Sequence, residues 1–507
     1  MKNKYNNPIT GLIAIAFLVI VASSCSDFFV EPAGNQIRPE DHYNSITEFV
    51  EVSVPGVLAP LQSAMPNLVL IDGLLSDQMQ ITDNADGYMR DVNEHAYSFD
   101  NPYLDTKGFY QLIINVNEVL GNLYKITEKD PAFDEYYIKS FTNSLIGMRS
   151  WAYFTLAKLN GEVAWIEDNM SKLPSEGLNY IPKEAVLDTL VNQLLPWLHL
   201  DDNIAEILIP LYVNTKVLIG EIYLEKDDYE NAAYYLKLGM ESYGDSKDML
   251  KVDKTFSKEV WYTIFVNAEN NFLENIAVIP FSSSEGQDNP VTAWTMYNDQ
   301  YVIQPSIPLM NLFESQIPVK GDQGDIYRGL GYTYDRMGDM AYIKKYSLDV
   351  AEPYSTDIII SRAADAHLLL AEALNRLGQH DYALYLLNEG FGSLKSKDTP
   401  DEYLRWSKNM GIRGRVNLEE EKVPSSLSSD AEITEYIEDL IIKERSLELA
   451  FEGKRYFDLM RIARRRNNPD FLASKVYEKF KDIDQGTGQA VKDLLKNPEN
   501  WYVPLNK

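Results

Sequence analysis

The sequence ERSLELAFEGKRYFDLMR, residues 444–461, is the most informative stretch of the chain. Glutamates and arginines alternate in it with large apolar residues, at spacings that put most of the charges on neighbouring helical faces. Glu444, Glu448 and Glu452 are therefore candidates for paired carboxylates in acid–base catalysis. Arginines within reach of each glutamate lower the carboxylate pKa, which is the wrong direction for a general acid. The pattern instead predicts an ion-pair network that fixes the terminal helix.

The only basic cluster in the sequence follows directly and consists of Arg461 and Arg464 to Arg466. Cations near the C-terminus of a helix are stabilised by the helix macrodipole, and we expect that role for the cluster. Contact with a partner protein or an anionic surface is the alternative.

Most of the chain after residue 40 has apolar residues with a period near 3.6, which predicts helices. The predicted helices are 109–126, 141–159, 207–224, 229–240, 358–377, 382–387 and 433–462. Strand-like runs are rare, and the best are 260–266 and 276–281. The stretches 281–306, 315–356 and 391–430 are rich in Gly, Pro, Ser and Asp, which predicts long irregular insertions. The fold class is therefore mostly α.

Two predicted helix pairs share one pattern of small and large residues at identical spacings. The pattern comprises Gly220, Tyr223, Ala232, Leu236 and Gly239 in one pair and Ala371, Leu374, Ala383, Leu387 and Gly390 in the other. The small residues allow two helices to approach closely, and the large ones fill the space between them. This pattern predicts tetratricopeptide-like hairpins, with two unrelated helical hairpins as the alternative.

The N-terminus has the features of a secretory signal. Lys2 and Lys4 precede an apolar run at 12–22, which is too short for a permanent membrane span. The small residues before Cys25 resemble a bacterial lipobox. We therefore expect residues 1–24 to be a lipoprotein signal peptide, Cys25 to be lipidated and residues 25–40 to form a tether. Plain secretion is the alternative.

Composition and charge exclude several classes of protein. The 507 residues are 45% hydrophobic and 24% charged, an ordinary globular balance, and the formal charge of −29 repels phosphate backbones. The single cysteine excludes an intramolecular disulfide framework and a multi-thiolate metal site. No nucleotide-binding motif and no zinc-binding histidine pair is found. We expect no nucleic acid, no cofactor and no metal.

The stretch 444–461 closely resembles the C-terminal signature of the SusD/RagB family of Bacteroidota. The same resemblance extends to the segments 25–29, 149–161, 361–374 and 497–506, and so spans the chain from end to end. It implies one large domain over residues 41–507, in which a tetratricopeptide-like helical scaffold carries the irregular insertions on one side.

The resemblance also implies a function. It implies a lipid-anchored, non-catalytic protein at the cell surface of the outer membrane. Such a protein captures glycans, or in some members peptides, and delivers them to a partner, a SusC-like TonB-dependent transporter.

The candidate ligand site is chosen from composition and position. Sugars stack their CH faces on aromatic rings, and their hydroxyls hydrogen-bond with Asn, Asp, Gln or Arg. Two stretches outside the strong helical patterns supply this mixture, in the general regions where the resemblance implies ligand contacts. The candidate residues are Asp83, Asn84, Asp86, Tyr88, Arg90 and Tyr97 in the first stretch and Trp294, Tyr297, Asn298 and Tyr301 in the second. Plain packing is the alternative for each.

We therefore expect a surface receptor that holds an oligosaccharide on a shallow, exposed arc. A peptide-capturing lid of the same type and a surface tetratricopeptide scaffold that binds only protein are the alternatives. A surface glycosidase would need a carboxylate pair facing a cleft at roughly 5 to 10 Å, with one raised pKa.

Overall fold

The computed structural model of the chain describes residues 45–505 except 99, 168–176, 201–212, 242–249, 253–257, 267, 269–273 and 395–397. Its helices are α1 (Ile46–Leu75), α2 (Gly87–Asn93), α3 (Lys107–Thr127), α4 (Glu135–Asn160), α5 (Lys183–Leu194), α6 (Thr215–Glu225), α7 (Tyr229–Glu241), α8 (Lys258–Phe265), α9 (Pro290–Thr295), α10 (Ile307–Glu314), α11 (Ala363–Arg376), α12 (His380–Leu387), α13 (Ile412–Arg415), α14 (Asp430–Glu448), α15 (Arg455–Arg465), α16 (Pro469–Glu478) and α17 (Gln485–Leu495). Its strands are β1 (Met79–Ile81), β2 (Glu162–Trp165), β3 (Asn179–Pro182), β4 (Asn275–Ile279), β5 (Ile303–Pro305), β6 (Tyr334–Met337), β7 (Met340–Ile343) and β8 (Ile358–Arg362). The expected signal peptide, Cys25 and the tether lie outside the described residues.

The strands form two-stranded antiparallel pairs: β1 with β5, β2 with β3, β4 with β8 and β6 with β7. The fold is thus mostly α, as predicted. The segments 281–306, 315–356 and 391–430 contain only short helices and strands between irregular stretches.

Helix α1 lies at the centre of the larger core and packs against α3 and α15. By length and composition alone, its segment Ser53–Leu75 could cross a membrane, but half of its most apolar stretch is buried inside the fold. The buried carboxylate of Asp72 in α1 accepts hydrogen bonds from the backbone N–H groups of Arg455 (3.1 Å) and Tyr456 (2.7 Å). Asp72 therefore caps the N-terminus of α15 from a distant part of the chain.

The two predicted tetratricopeptide-like hairpins are α6–α7 and α11–α12. A Cβ added to Gly220 would lie 2.9 Å from the backbone N of Leu236, and one added to Gly239 would lie 2.9 Å from that of Val217. Both distances are too short for any residue except glycine, which confirms the close approach predicted for the first pair. Helix α11 packs against α7, so the two hairpins are neighbours in space. A second core of buried apolar residues joins them to α14.

The structure corrects four predictions of secondary structure. The helix predicted over 207–224 begins only at Thr215, after the cap residue Asn214, and residues 207–212 lie outside the described residues. Residues 358–362, predicted as helix, form β8, which pairs with β4; α11 begins only at Ala363. Residues 260–266 are predicted to form a short strand or a loop segment, but residues 260–265 belong to α8, because Trp261, Ile264 and Phe265 recur at helical spacing on one buried face. The helix predicted over 433–462 is interrupted between α14 and α15.

The interruption has a local cause in the backbone. Phe451 and Gly453 have left-handed conformations, with φ of 66° and 71°. This turn lets α14 and α15 diverge, and it directs carbonyl groups of residues 448, 450 and 451 toward Arg362, Lys345 and Tyr346.

The ion-pair network predicted for residues 444–461 is confirmed, but its partners come from distant segments. Arg328, in the insertion 315–356, contacts both Glu444 and Glu448 at 2.7 Å. Arg413 and Arg415, in the insertion 391–430, reach Glu444 at 2.9 Å and Glu448 at 3.4 Å. The network thus ties the insertions to the helical scaffold, in addition to fixing the terminal helices.

The basic cluster at the end of α15 is neutralised in the same way. Arg461 and Arg465 pair with Glu372 of α11, Arg464 with Asp227, and Arg466 with Glu438 of α14. Arg464 and Arg465 do lie in the last turn of the helix, as the macrodipole argument predicted. Ion pairs to three other elements add to that effect, so these arginines do not form a free basic patch.

Candidate functional site

Strand pairing brings the two predicted ligand stretches together. The register of β1 on β5 places Ile81 opposite Ile303. The pairing continues beyond the strands, because the Thr82 N–H donates to the Val302 carbonyl (2.9 Å) and its hydroxyl to the Tyr301 carbonyl (2.7 Å). Segments more than two hundred residues apart therefore form one continuous surface.

Several candidate residues are accessible on this surface. Asp83, Tyr88 and Arg90 are exposed, and the Tyr88 side chain is 43% exposed. Trp294 and Tyr297 are half-buried, so each ring has a supported side and an accessible part. This arrangement can offer aromatic faces to a ligand without a large loss of side-chain entropy.

The other candidate residues are held by contacts within the protein. Asn84 donates to the carbonyls of Asp299 and Tyr301, both at 3.2 Å. Asp86 caps α2 by accepting from the Met89 N–H at 2.8 Å. These contacts fix the two stretches against each other and so position their neighbours.

The remaining three candidates are also engaged. The Asn298 side chain accepts from the Gln300 N–H at 2.7 Å and closes a turn. Tyr301 is buried and donates to the Ala341 carbonyl at 3.1 Å. Tyr97 packs against the core, and burial raises its pKa to about 12. We interpret these three as supporting residues of the surface.

Two aromatic residues of the site were missed by the sequence analysis. Tyr103 meets the Trp294 ring edge-on, with centroids 5.9 Å apart, and donates to Asp86 at 2.7 Å. Tyr342, on β7, lies 5.3 Å from the Tyr297 ring. The sequence does contain a signal for the strand that carries Tyr342. Gly338-Asp339 lies between two short runs in which apolar and polar residues partly alternate, which predicts a tight β-hairpin. We call Tyr88, Tyr103, Trp294, Tyr297 and Tyr342 the aromatic surface.

The stretches 83–97 and 294–301 carry more exposed acids than exposed bases. Asp83, Asp86 and Asp299 are exposed there, and Arg90 is the exposed base of the same two stretches. Asp335 lies opposite Tyr342 in the β6–β7 pair and contacts Lys344 at 2.9 Å. Burial, with the neighbouring Asp335 carboxylate adding to it, raises the pKa of Tyr342, whose protonated hydroxyl donates a hydrogen bond to Asp335.

The carboxylates of residues 444–452 are unsuited to general acid catalysis. Burial raises the pKa of Glu444, Glu448 and Glu452, but the surrounding guanidinium and ammonium groups outweigh it and hold each pKa below its usual value. Two described carboxyl groups do have a pKa above the usual value, because burial outweighs the opposing contacts. They are Asp72, with a pKa of about 7, and Asp325. Asp72 is occupied as a helix cap and Asp325 by Arg328.

Among the described residues, no group of three or more His, Cys, Asp or Glu side chains is placed to hold a metal ion.

Comparison with known proteins gives consistent matches. The model of the SusD family matches residues 243–506. SusD-like protein P2 of Formosa agariphila is 21% identical over 497 residues, covering 88% of this chain and 90% of that protein. A SusD superfamily protein from Bacteroides thetaiotaomicron has a similar structure, with a TM-score of 0.65 at 16% identity over 90% of this chain and 98% of that one. A laminarin binding SusD-like protein gives a TM-score of 0.59 at 19% identity, covering 88% and 96%.

Proposed function

Because this chain belongs to the SusD family, we propose that it is a non-catalytic receptor that captures oligosaccharides on the aromatic surface. The observation that carries the proposal is the pairing of β1 with β5, which brings the stretch that holds the exposed Tyr88 beside the stretch that holds the half-buried Trp294 and Tyr297. Stacked sugar rings suit such a face, and the adjoining Asp, Asn and Arg side chains supply hydrogen bonds to hydroxyls. The structural likeness to a protein that binds laminarin gives further support.

The charge of the site narrows the glycan class. The exposed carboxylates of Asp83, Asp86 and Asp299 would repel uronic acids and sulfate esters, and the formal charge of −29 adds to this repulsion. A neutral glycan meets no such penalty. We therefore propose that the ligand is a neutral oligosaccharide.

Calorimetry of the purified protein against neutral glycans, anionic glycans and peptide mixtures tests this proposal. We expect saturable binding of a neutral glycan, such as laminarin, with an affinity that changes little with salt because no ion pair forms. Anionic glycans should not bind at low salt, where repulsion is strongest. Binding of peptides alone would contradict glycan capture and favour the peptide-capturing lid.

We propose in addition that Cys25 carries a lipid anchor at the outer membrane and that the protein delivers its glycan to a SusC-like TonB-dependent transporter. The small residues before Cys25 support the anchor, and membership of the family supports the partner. Replacing Cys25 by serine should move the protein from the membrane fraction to the soluble fraction. A TonB-dependent transporter should co-purify with the wild-type protein from detergent-solubilised membranes. Retention of the Cys25→Ser protein in the membrane fraction would contradict the anchor.

A further inference from the structure

A cleft of about 730 Å³ is lined by residues on both sides of Tyr103, a member of the aromatic surface. The two are separated by the segment 101–105, whose centre is one turn of 3-10 helix at Pro102–Leu104. On one side of this segment Tyr103 supports Trp294 and Asp86. On the other side Pro102 and Leu104 line the cleft.

Asn101 fixes this dividing segment. Its side-chain amide donates to the Tyr88 carbonyl at 2.9 Å, while its side-chain oxygen accepts from the Tyr103 N–H at 3.0 Å. Asn101 is buried and also lines the cleft. The aromatic surface and the cleft therefore share one rigid wall.

The lining of the cleft repeats the chemistry of the aromatic surface. Tyr110 from α3 and Tyr180 from β3 contribute rings, while Ile114 and Leu178 contribute aliphatic surface. The Tyr110 hydroxyl accepts a hydrogen bond from the Ala164 N–H at 3.2 Å, which fixes the ring. The volume lies in the usual range for small-molecule pockets.

The charged groups at the cleft do not select an ion. Lys107 pairs with Asp105 at 3.4 Å, both at the rim. Asp100 is exposed beside them. The mixture of rings, aliphatic groups and polar rim groups suits a neutral polyhydroxy ring better than an anion.

We propose that this cleft is a second subsite, which holds a further sugar unit of the same neutral glycan that lies on the aromatic surface. The inference rests on the proposed function. Pro102 is exposed and lines the cleft, and it follows Asn101, which holds the Tyr88 carbonyl, so we expect the glycan chain to cross it between the two subsites. An oligosaccharide long enough to occupy both subsites binds more tightly, because its second contact is intramolecular.

Calorimetry with a ladder of oligosaccharides of increasing length tests the second subsite. The ladder is cut from laminarin, or from the neutral glycan of the panel that binds if laminarin does not. For the wild-type protein we expect affinity to rise by about three- to tenfold at the length that reaches the cleft. Tyr180→Ala should abolish this rise and leave the affinity for short oligosaccharides unchanged.

A filling variant and a matched control complete the experiment. Leu178→Trp adds bulk at a partly exposed position of the cleft and should also abolish the rise. Tyr124→Ala removes an exposed tyrosine of α3 outside the cleft lining, and this variant should still show the rise in affinity with oligosaccharide length. An identical length dependence in wild type, Tyr180→Ala and Leu178→Trp would overturn the second subsite and leave the aromatic surface in place. Absence of binding by every glycan in the panel would overturn both proposals.

Discussion

Replacing Glu448 by alanine should lower the free energy of unfolding by about 3–5 kcal/mol, because removing one partner of a buried ion pair leaves uncompensated charge. Both carboxylate oxygens of Glu448 are engaged, one by Arg328 at 2.7 Å and the other by Arg362 at 2.7 Å. Arg415 approaches the second oxygen at 3.4 Å. All four side chains are at most 1% exposed, so water cannot replace the lost carboxylate.

A glutamate on the same helix provides the control for this prediction. Glu435 is 66% exposed and contacts Arg466 at 3.5 Å. Because exposed ion pairs are weak, Glu435→Ala should change the free energy of unfolding by no more than about 1 kcal/mol. Urea denaturation of both variants measures the difference. If Glu448→Ala and Glu435→Ala lower the free energy of unfolding by the same small amount, the ion-pair network does not hold the insertions on the scaffold.

The pH dependence of the free energy of unfolding gives a second measure of how much the ionised Glu448 side chain stabilises the fold. Burial raises its pKa, but Arg415, Arg362 and Arg328 hold it well below the usual value. A carboxyl with a lowered pKa in the folded state stabilises the protein above its unfolded pKa, near 4.5, and loses that contribution as pH falls below it. The wild-type protein should therefore lose more stability between pH 6 and acid pH than Glu448→Gln, which has no proton to bind.

Replacing Trp294 by alanine should weaken neutral-glycan binding by about tenfold or more, the largest effect expected at the site. Trp294 offers the largest ring of the aromatic surface, and Tyr103 fixes it edge-on at 5.9 Å. A preorganised ring loses little entropy on binding, so its truncation removes most of the stacking contribution. Calorimetry with the glycan that binds the wild-type protein measures the loss.

Trp197 provides the matched control, because it is also a half-buried tryptophan packed against the same core and lies outside the aromatic surface. Trp197→Ala should bind the glycan with wild-type affinity. Circular dichroism should show that both variants remain folded. Equal affinity in Trp294→Ala and the wild-type protein would remove Trp294 from the site.

Local periodicity predicted most of the scaffold. The helices α3 and α7 lie within two residues of their predicted bounds, because each has an apolar stripe and packs on one side. Helix α4 begins six residues before its predicted start, and nearly all of its residues from Ser140 onward are buried. Prediction failed at Ile358-Ile359-Ile360, since a short apolar run fits a buried strand and a buried helix equally well. Only the distant strand β4 decides between them.

The composition of the two candidate stretches could be read from the sequence, but their proximity could not. Composition identified both stretches, and the structure places them side by side. Their pairing depends on β1 and β5, three residues each, whose mutual contact no local pattern encodes. Tyr103 and Tyr342 were missed because each reaches the site through a ring contact with a residue far away in the sequence. The partners of Glu448 were missed because Arg328, Arg362 and Arg415 also lie far from it in the sequence.

A crystal structure of the protein with a neutral oligosaccharide bound tests the central claim most directly. The account predicts sugar rings in van der Waals contact with Trp294 and Tyr297, beside Tyr88, with hydroxyls hydrogen-bonded to the neighbouring polar side chains. Glycan density elsewhere on the molecule, with the aromatic surface unoccupied, would contradict it.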